Sequence, residues 1–164
     1  MKTAALRGVL AWLLLLLLQG PVALAEDEGD LSYRHFVDSP RRIKCLYGYV
    51  AEKTGDHVSA VRIFEDCIAR WNDVYSMIWL AQMLESGVGV ARDEARAARL
   101  MERGAMSDEV GGYATLARYH WGMALAQGRG VDADPVRARH WLQRAADEGD
   151  VLAADALLRW GEAD

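Results

Sequence analysis

Cys45 and Cys67 are the only cysteines in the chain, and they are the side chains best placed for covalent chemistry. Asp56 lies midway between them. In a helical hairpin that turns at Thr54-Gly55-Asp56, the two thiols stand at one level on neighbouring helices. The pair is read as a disulfide closing a loop of about 22 residues, worth roughly 3 kcal/mol by restriction of the unfolded chain. The other reading is two buried apolar thiols, with Cys67 in a small-residue core position. The rotation of each helix decides between them, and spacing does not. No C-x-x-C occurs, which argues against a redox-active pair.

The other reactive residue types are scattered. His35, His57, His120 and His140 have no second His or Cys at ligand spacing, and no H-E-x-x-H occurs. Leader, turn and helix-surface positions account for them. There is no G-x-S-x-G, and no serine is followed three residues later by lysine. Ser39, Ser76, Ser86 and Ser107 read as caps or surface residues. Gly87-x-Gly89 and Gly128-x-Gly130 follow no strand, so they read as turns rather than phosphate loops. No catalytic, metal or cofactor site is assigned, and the chain is read as a non-enzyme.

The elements that position these residues begin after a leader. Lys2 and Arg7 precede an apolar run from Val9 to Leu18, and Ala23-Leu24-Ala25 is followed at once by Glu26-Asp27-Glu28. That is the layout of a signal peptide cleaved after Ala25, and the apolar run is short for a bilayer span. The expectation is a periplasmic or secreted protein, in which a disulfide persists. Removing residues 1–25 takes away one Lys and one Arg and no acid, so the net charge moves from −5 to −7. An acidic chain with dispersed arginine has no electrostatic reason to bind nucleic acid. Residues 26–39 are read as a flexible acidic leader, with Tyr33 and Phe36 resting on the first helix.

Residues 40–164 read as helical hairpins. The first spans about 40–71, with Ser39 as N-cap and Pro40 in the first turn. Ile43, Leu46, Tyr47 and Val50 form its first apolar face, and Ala60, Val61, Phe64 and Ile68 the second. The next hairpin, about 73–105, carries Tyr75, Ile78, Trp79, Met83 and Leu84, then the turn Gly87-Val88-Gly89-Val90, then Ala97, Leu100 and Met101. The third, about 110–149, has Asp134 as N-cap and Pro135 at the first helical position, followed by Trp141, Leu142 and Ala145. A capping helix, about 150–162, carries Leu152, Ala156, Leu157 and Trp160. Gly87/Gly128, Asp93/Asp134, Arg96/Arg137 and Ala97/Ala138 share one offset of about 40 residues, the mark of a stacked repeat.

Trp121-Gly122, Leu125, Gly128, Gly130, Val131, Asp134, Arg137, Ala138, Trp141, Ala145, Ala146 and Gly149 resemble the Sel1-like repeat motif, L-G-x-x-Y-x-x-G-x-G-V-x-x-D-x-x-K-A, an aromatic, A-A and G. Trp121 replaces Leu, Leu125 replaces Tyr and Arg137 replaces Lys. Leu80-Ala81, Leu84, Gly87, Gly89, Val90, Asp93, Arg96, Ala97, Leu100, Gly104 and Ala105 give a second copy, with Asp108 where Gly is expected. The first hairpin lacks G-x-G-V, and its Gly48, Ala60, Phe64 and Cys67 resemble the related tetratricopeptide pattern.

The resemblance implies an all-α, right-handed solenoid of about three antiparallel hairpins whose first helices line a concave groove. It implies a scaffold or adaptor that holds a protein or peptide. The chain is further expected to be a monomer and, with no later segment apolar enough to span a bilayer, to insert in no membrane once the leader is cleaved. Carrying over the family's groove positions gives Tyr49, Glu52, Tyr75, Gln82, Glu85, Tyr119, Met123 and Gln127. An exported interaction scaffold of the cell envelope is thus the expected function. A periplasmic inhibitor or immunity protein covering a toxin or hydrolase is the alternative. A hydrolase of cell-wall or antibiotic substrates ranks last.

Overall fold

The computed structural model describes residues 32–109 and 111–161. The signal-peptide reading and the first part of the leader lie outside these residues. The described residues form eight α-helices and no strand: α1 Arg34–Val37, α2 Lys44–Thr54, α3 His57–Trp71, α4 Val74–Ser86, α5 Glu94–Ala105, α6 Gly112–Gln127, α7 Pro135–Asp147 and α8 Val151–Gly161. Each helix packs on its sequence neighbours. The hairpins α2–α3, α4–α5 and α6–α7 stack as a helical solenoid, with α8 against α7, and the opening helices α2, α4 and α6 also touch in sequence.

Local chemistry starts and stops these helices. Asp56, Asp73, Asp93 and Asp134 each accept a hydrogen bond from the backbone N–H three residues on, satisfying a donor the helix leaves unpaired. The two G-x-G-V turns share one construction. Asp93 N–H donates to Leu84 O and Asp134 N–H to Leu125 O, at 3.0 and 2.9 Å. Val90 and Val131 fold back onto the core as apolar plugs.

The second glycine of each turn is where successive hairpins meet. A Cβ on Gly89 would lie 2.1 Å from the Cβ of His57, the first residue of α3. A Cβ on Gly130 would lie 2.0 Å from the carbonyl oxygen of Glu94, the first residue of α5. Each turn therefore seats its backbone on the second-helix start of the preceding hairpin. Both glycines also hold positive φ, so two constraints demand glycine there.

One apolar cluster runs through the stack, including Phe64, Met77, Leu80, Leu84, Met101, Trp121 and Leu125. Small residues set the helix crossings. Gly48 faces the Phe64 ring, and Gly122 faces Leu142. Cys45 and Cys67 are buried and joined in a disulfide, with Cα atoms 6.0 Å apart.

Three expectations need correction. The first long helix begins at Lys44, and residues 40–43 form a bend and turn ahead of it. Its buried face is Lys44, Cys45, Gly48 and Ala51, whereas Ile43, Leu46 and Val50 are 55%, 49% and 37% exposed. Close approach to α3 selects the small-residue face over the larger apolar one. Finally, the stretch read as flexible leader contains α1, whose Val37 is buried. As expected, Phe36 rests on the first long helix, stacked on Tyr47 with centroids 4.0 Å apart, and Tyr33 N–H donates to Asp56 Oδ2 at 2.9 Å.

Two fully buried cations tie segments together. Lys44 donates from Nζ to Val37 O at 2.6 Å and pairs with Asp66. Arg118 donates to the carbonyls of Ala105, Ser107 and Glu109 and to the Glu148 carboxylate. Three exposed arginines of the closing helices bridge successive hairpins. Arg96 pairs with Glu65, Arg103 with Asn72, and Arg137 with Glu102.

Candidate functional site

The eight groove positions fall on α2 (Tyr49, Glu52), α4 (Tyr75, Gln82, Glu85) and α6 (Tyr119, Met123, Gln127). The structure divides them into two groups. The first centres on a row of aromatic rings that crosses the opening helices. Tyr49 lies 4.5 Å from Trp79, Trp79 lies 6.1 Å from Tyr75, and Tyr75 lies 4.9 Å from Tyr113, all between ring centroids. Tyr75 is the most embedded titratable group of the row. Burial, then the neighbouring Tyr113, pushes its hydroxyl up to about 12, so it stays a neutral donor.

Beside this row, Glu52, Lys53, Trp79, Gln82, Met83, Ser86 and Val88 enclose a cavity of about 210 Å³. Charges around it are matched internally. Lys53 Nζ lies 2.9 Å from Glu52 Oε2, and Arg129 Nη1 lies 3.2 Å from Glu85 Oε1.

The second group lies towards α8. Met123 and Gln127 line a cavity of about 440 Å³ with Ala126, Ala156, Arg159 and Trp160. Tyr119 does not join the aromatic row. It packs on the cluster of Leu142, Ala145 and Ala153, with its ring 5.2 Å from His120. His120, expected on a helix surface, is largely covered, and burial together with Arg129 lowers its proton affinity despite Asp150. A further hollow of about 590 Å³ flanks Trp160, lined by Pro135, Val136, Arg139, His140 and Gln143.

Sequence reasoning missed three members of the aromatic face. Trp79 was read as part of the apolar stripe of its hairpin, and Tyr113 and Lys53 were not singled out. A signal existed, since Tyr75 and Trp79 are four apart and so share one helix face. Tyr113 precedes the expected groove positions of its helix by more than a turn, and only the packing of α4 on α6 brings it to Tyr75. No group of three or more His, Cys, Asp or Glu among the described residues is placed to hold a metal ion. No helix among them is long and apolar enough to cross a membrane.

The face therefore offers ring surfaces, amides, hydroxyls and self-paired charges on closely packed helices, the composition of an interaction surface. Comparison with known proteins bears on this. The family model described as Sel1 repeat matches residues 74–109 and 115–150. The chain is similar to the crystal structure of a protective antigen present in uropathogenic Escherichia coli strains displaying an SLR fold, with TM-score 0.62 and 23% identity over 71% of this chain and 25% of that one. It is also similar to a Sel1 repeat protein from Oxalobacter formigenes, with TM-score 0.59 and 25% identity over 73% of this chain and 50% of that one. The chain thus spans a quarter and a half of the lengths of these two structures. No curated protein matches it.

Proposed function

We propose that the chain, which carries two Sel1 repeats over residues 74–109 and 115–150, is an exported scaffold of the cell envelope, holding a protein or peptide against the face formed by α2, α4 and α6. Sel1 repeats are in general interaction modules rather than catalysts. The observation that carries the reading is the aromatic row from Tyr49 through Trp79 and Tyr75 to Tyr113. Tyr and Trp present large area with few torsions to freeze, so they bind at low entropic cost. These rings hold one another, which preorganises the face further.

The leader's sequence layout and the disulfide support the same reading. Periplasmic or secreted placement suits a chain with a signal-peptide layout and a disulfide. The test is affinity capture by residues 26–164 from a cell-envelope extract of the native host, beside a Tyr113→Ala variant. Tyr113 is 49% exposed, so its truncation removes contact area with little effect on the core. A partner held by the wild type and lost by Tyr113→Ala supports the proposal. A partner held equally by both, or captured only by the face of α3, α5 and α7, overturns it.

A further inference from the structure

Tyr49, Trp79 and Glu52 form a cation cage that the protein fills with its own Lys53. The Lys53 ammonium lies over both rings, 5.3 Å from the Tyr49 centroid and 5.1 Å from that of Trp79. The same nitrogen is 2.9 Å from Glu52 Oε2. Two electron-rich ring faces and one carboxylate converging on one point are what an ammonium or guanidinium needs, and each ring within about 6 Å contributes to its attraction. Glu52 is largely covered, and the rings are held by neighbours, so the cage is rigid.

The resident cation sits at the solvent edge: the Lys53 side chain is about half exposed, so its head can reach water without unpacking the rings. The adjoining cavity of about 210 Å³ brings Met83 and Val88 beside the cage, apolar surface suited to the stem of an incoming long side chain.

We infer that this cage accepts a lysine or arginine side chain of the partner, with Lys53 leaving to admit it. The inference rests on the reading of this face as partner-binding and adds the partner's chemistry: a segment carrying an exposed basic residue. The net charge, −5 for the full chain and −7 without residues 1–25, favours such a segment at longer range. Lys53 then acts as a built-in competitor. It keeps the carboxylate and rings matched when no partner is present, and it sets a threshold that weak cations do not cross.

The test uses tetramethylammonium, followed through the Trp79 indole N–H resonance, which a Trp79→Phe variant assigns. The cage predicts at least tenfold tighter binding to Lys53→Ala than to wild type. Adding Glu52→Gln to Lys53→Ala should lose threefold or more of that gain. Neopentyl alcohol, of the same shape without charge, should not bind. Circular dichroism checks that each variant keeps its helices. Equal tetramethylammonium binding by wild type and Lys53→Ala, or equal binding of the neutral alcohol, would sink the cage. That result leaves the wider proposal standing if capture still depends on Tyr113, so the two failures are separable.

Discussion

Arg118 Nη1 donates to Glu148 Oε2 at 2.5 Å, from a guanidinium that solvent does not reach. The same guanidinium holds the carbonyls of Ala105, Ser107 and Glu109, so one side chain of α6 closes α5, fastens the following loop and anchors the end of α7. Arg118→Ala takes the buried charged donor from the Glu148 carboxylate, which keeps Thr115 and Arg144, and the side-chain donor from three carbonyls. The expected cost is about 3–5 kcal/mol, read as a lower midpoint in urea with circular dichroism still helical before the transition.

Glu148 gives this link a pH dependence. Burial raises its proton affinity, but hydrogen bonds from Thr115, Arg118 and Arg144 and the charge of Arg118 outweigh burial and hold it below its ordinary 4.5. A carboxyl depressed in the folded state stabilises above its unfolded pKa, and that contribution fades as pH falls through the folded value. Wild-type stability should therefore decline below about pH 4.5. In Glu148→Gln the decline should be shallower, and thermal melts between neutral and acid pH measure both.

Tyr75 gives the opposite sign at the alkaline end. Its hydroxyl is raised from 10.0 to about 12, chiefly by burial. A group raised in the folded state stabilises fully below its unfolded pKa and loses that contribution as pH rises towards the folded one. Absorbance of tyrosinate should show one ring ionising late, near 12, and Tyr75→Phe should remove that late step.

The Cys45–Cys67 bond closes a 22-residue separation, and both sulfurs lie in the core. Replacing both cysteines with alanine should cost roughly 3 kcal/mol. Neither cysteine should react with a thiol reagent in the folded, oxidised protein, whereas two thiols should label after reduction in denaturant.

The turn glycines should rank by what faces them. Gly130→Ala and Gly89→Ala combine positive φ with a methyl driven into Glu94 or His57. Gly149→Ala meets only the backbone strain, because nothing lies within 4 Å of its Cβ position. Losses of about 3 kcal/mol or more at the first two and about 1 kcal/mol at the third are expected, measured by urea unfolding. Equal losses at all three would refute the idea that hairpins seat on these backbones.

Capping and turn chemistry were legible in the sequence because they are local. Asp134-Pro135 and Gly128-x-Gly130 say where a helix starts and a chain reverses without knowledge of anything distant. The face of α2 was not legible. Periodicity weighs Ile43, Leu46 and Val50 above Gly48 and Ala51, yet a tight crossing on Phe64 requires the small residues. Arg118 was equally opaque, because a buried arginine is recognised by its acceptors, and these lie on a loop and on a helix about 30 residues away. The site was half legible. Residues on one helix could be assigned a common face, but the union of Tyr49, Trp79, Tyr75 and Tyr113 is made by helix stacking.

The seating of Gly89 on His57 and of Gly130 on Glu94 makes the middle hairpin, α4–α5, a module with both a plug and a socket. The plug is a side-chain-free turn facing the previous unit, and the socket is the first residue of the closing helix, offered to the next. A hairpin carrying both halves can be duplicated or removed without redesigning its neighbours. Length, and with it the number of side chains shown to a partner, becomes a quantity adjustable by whole units.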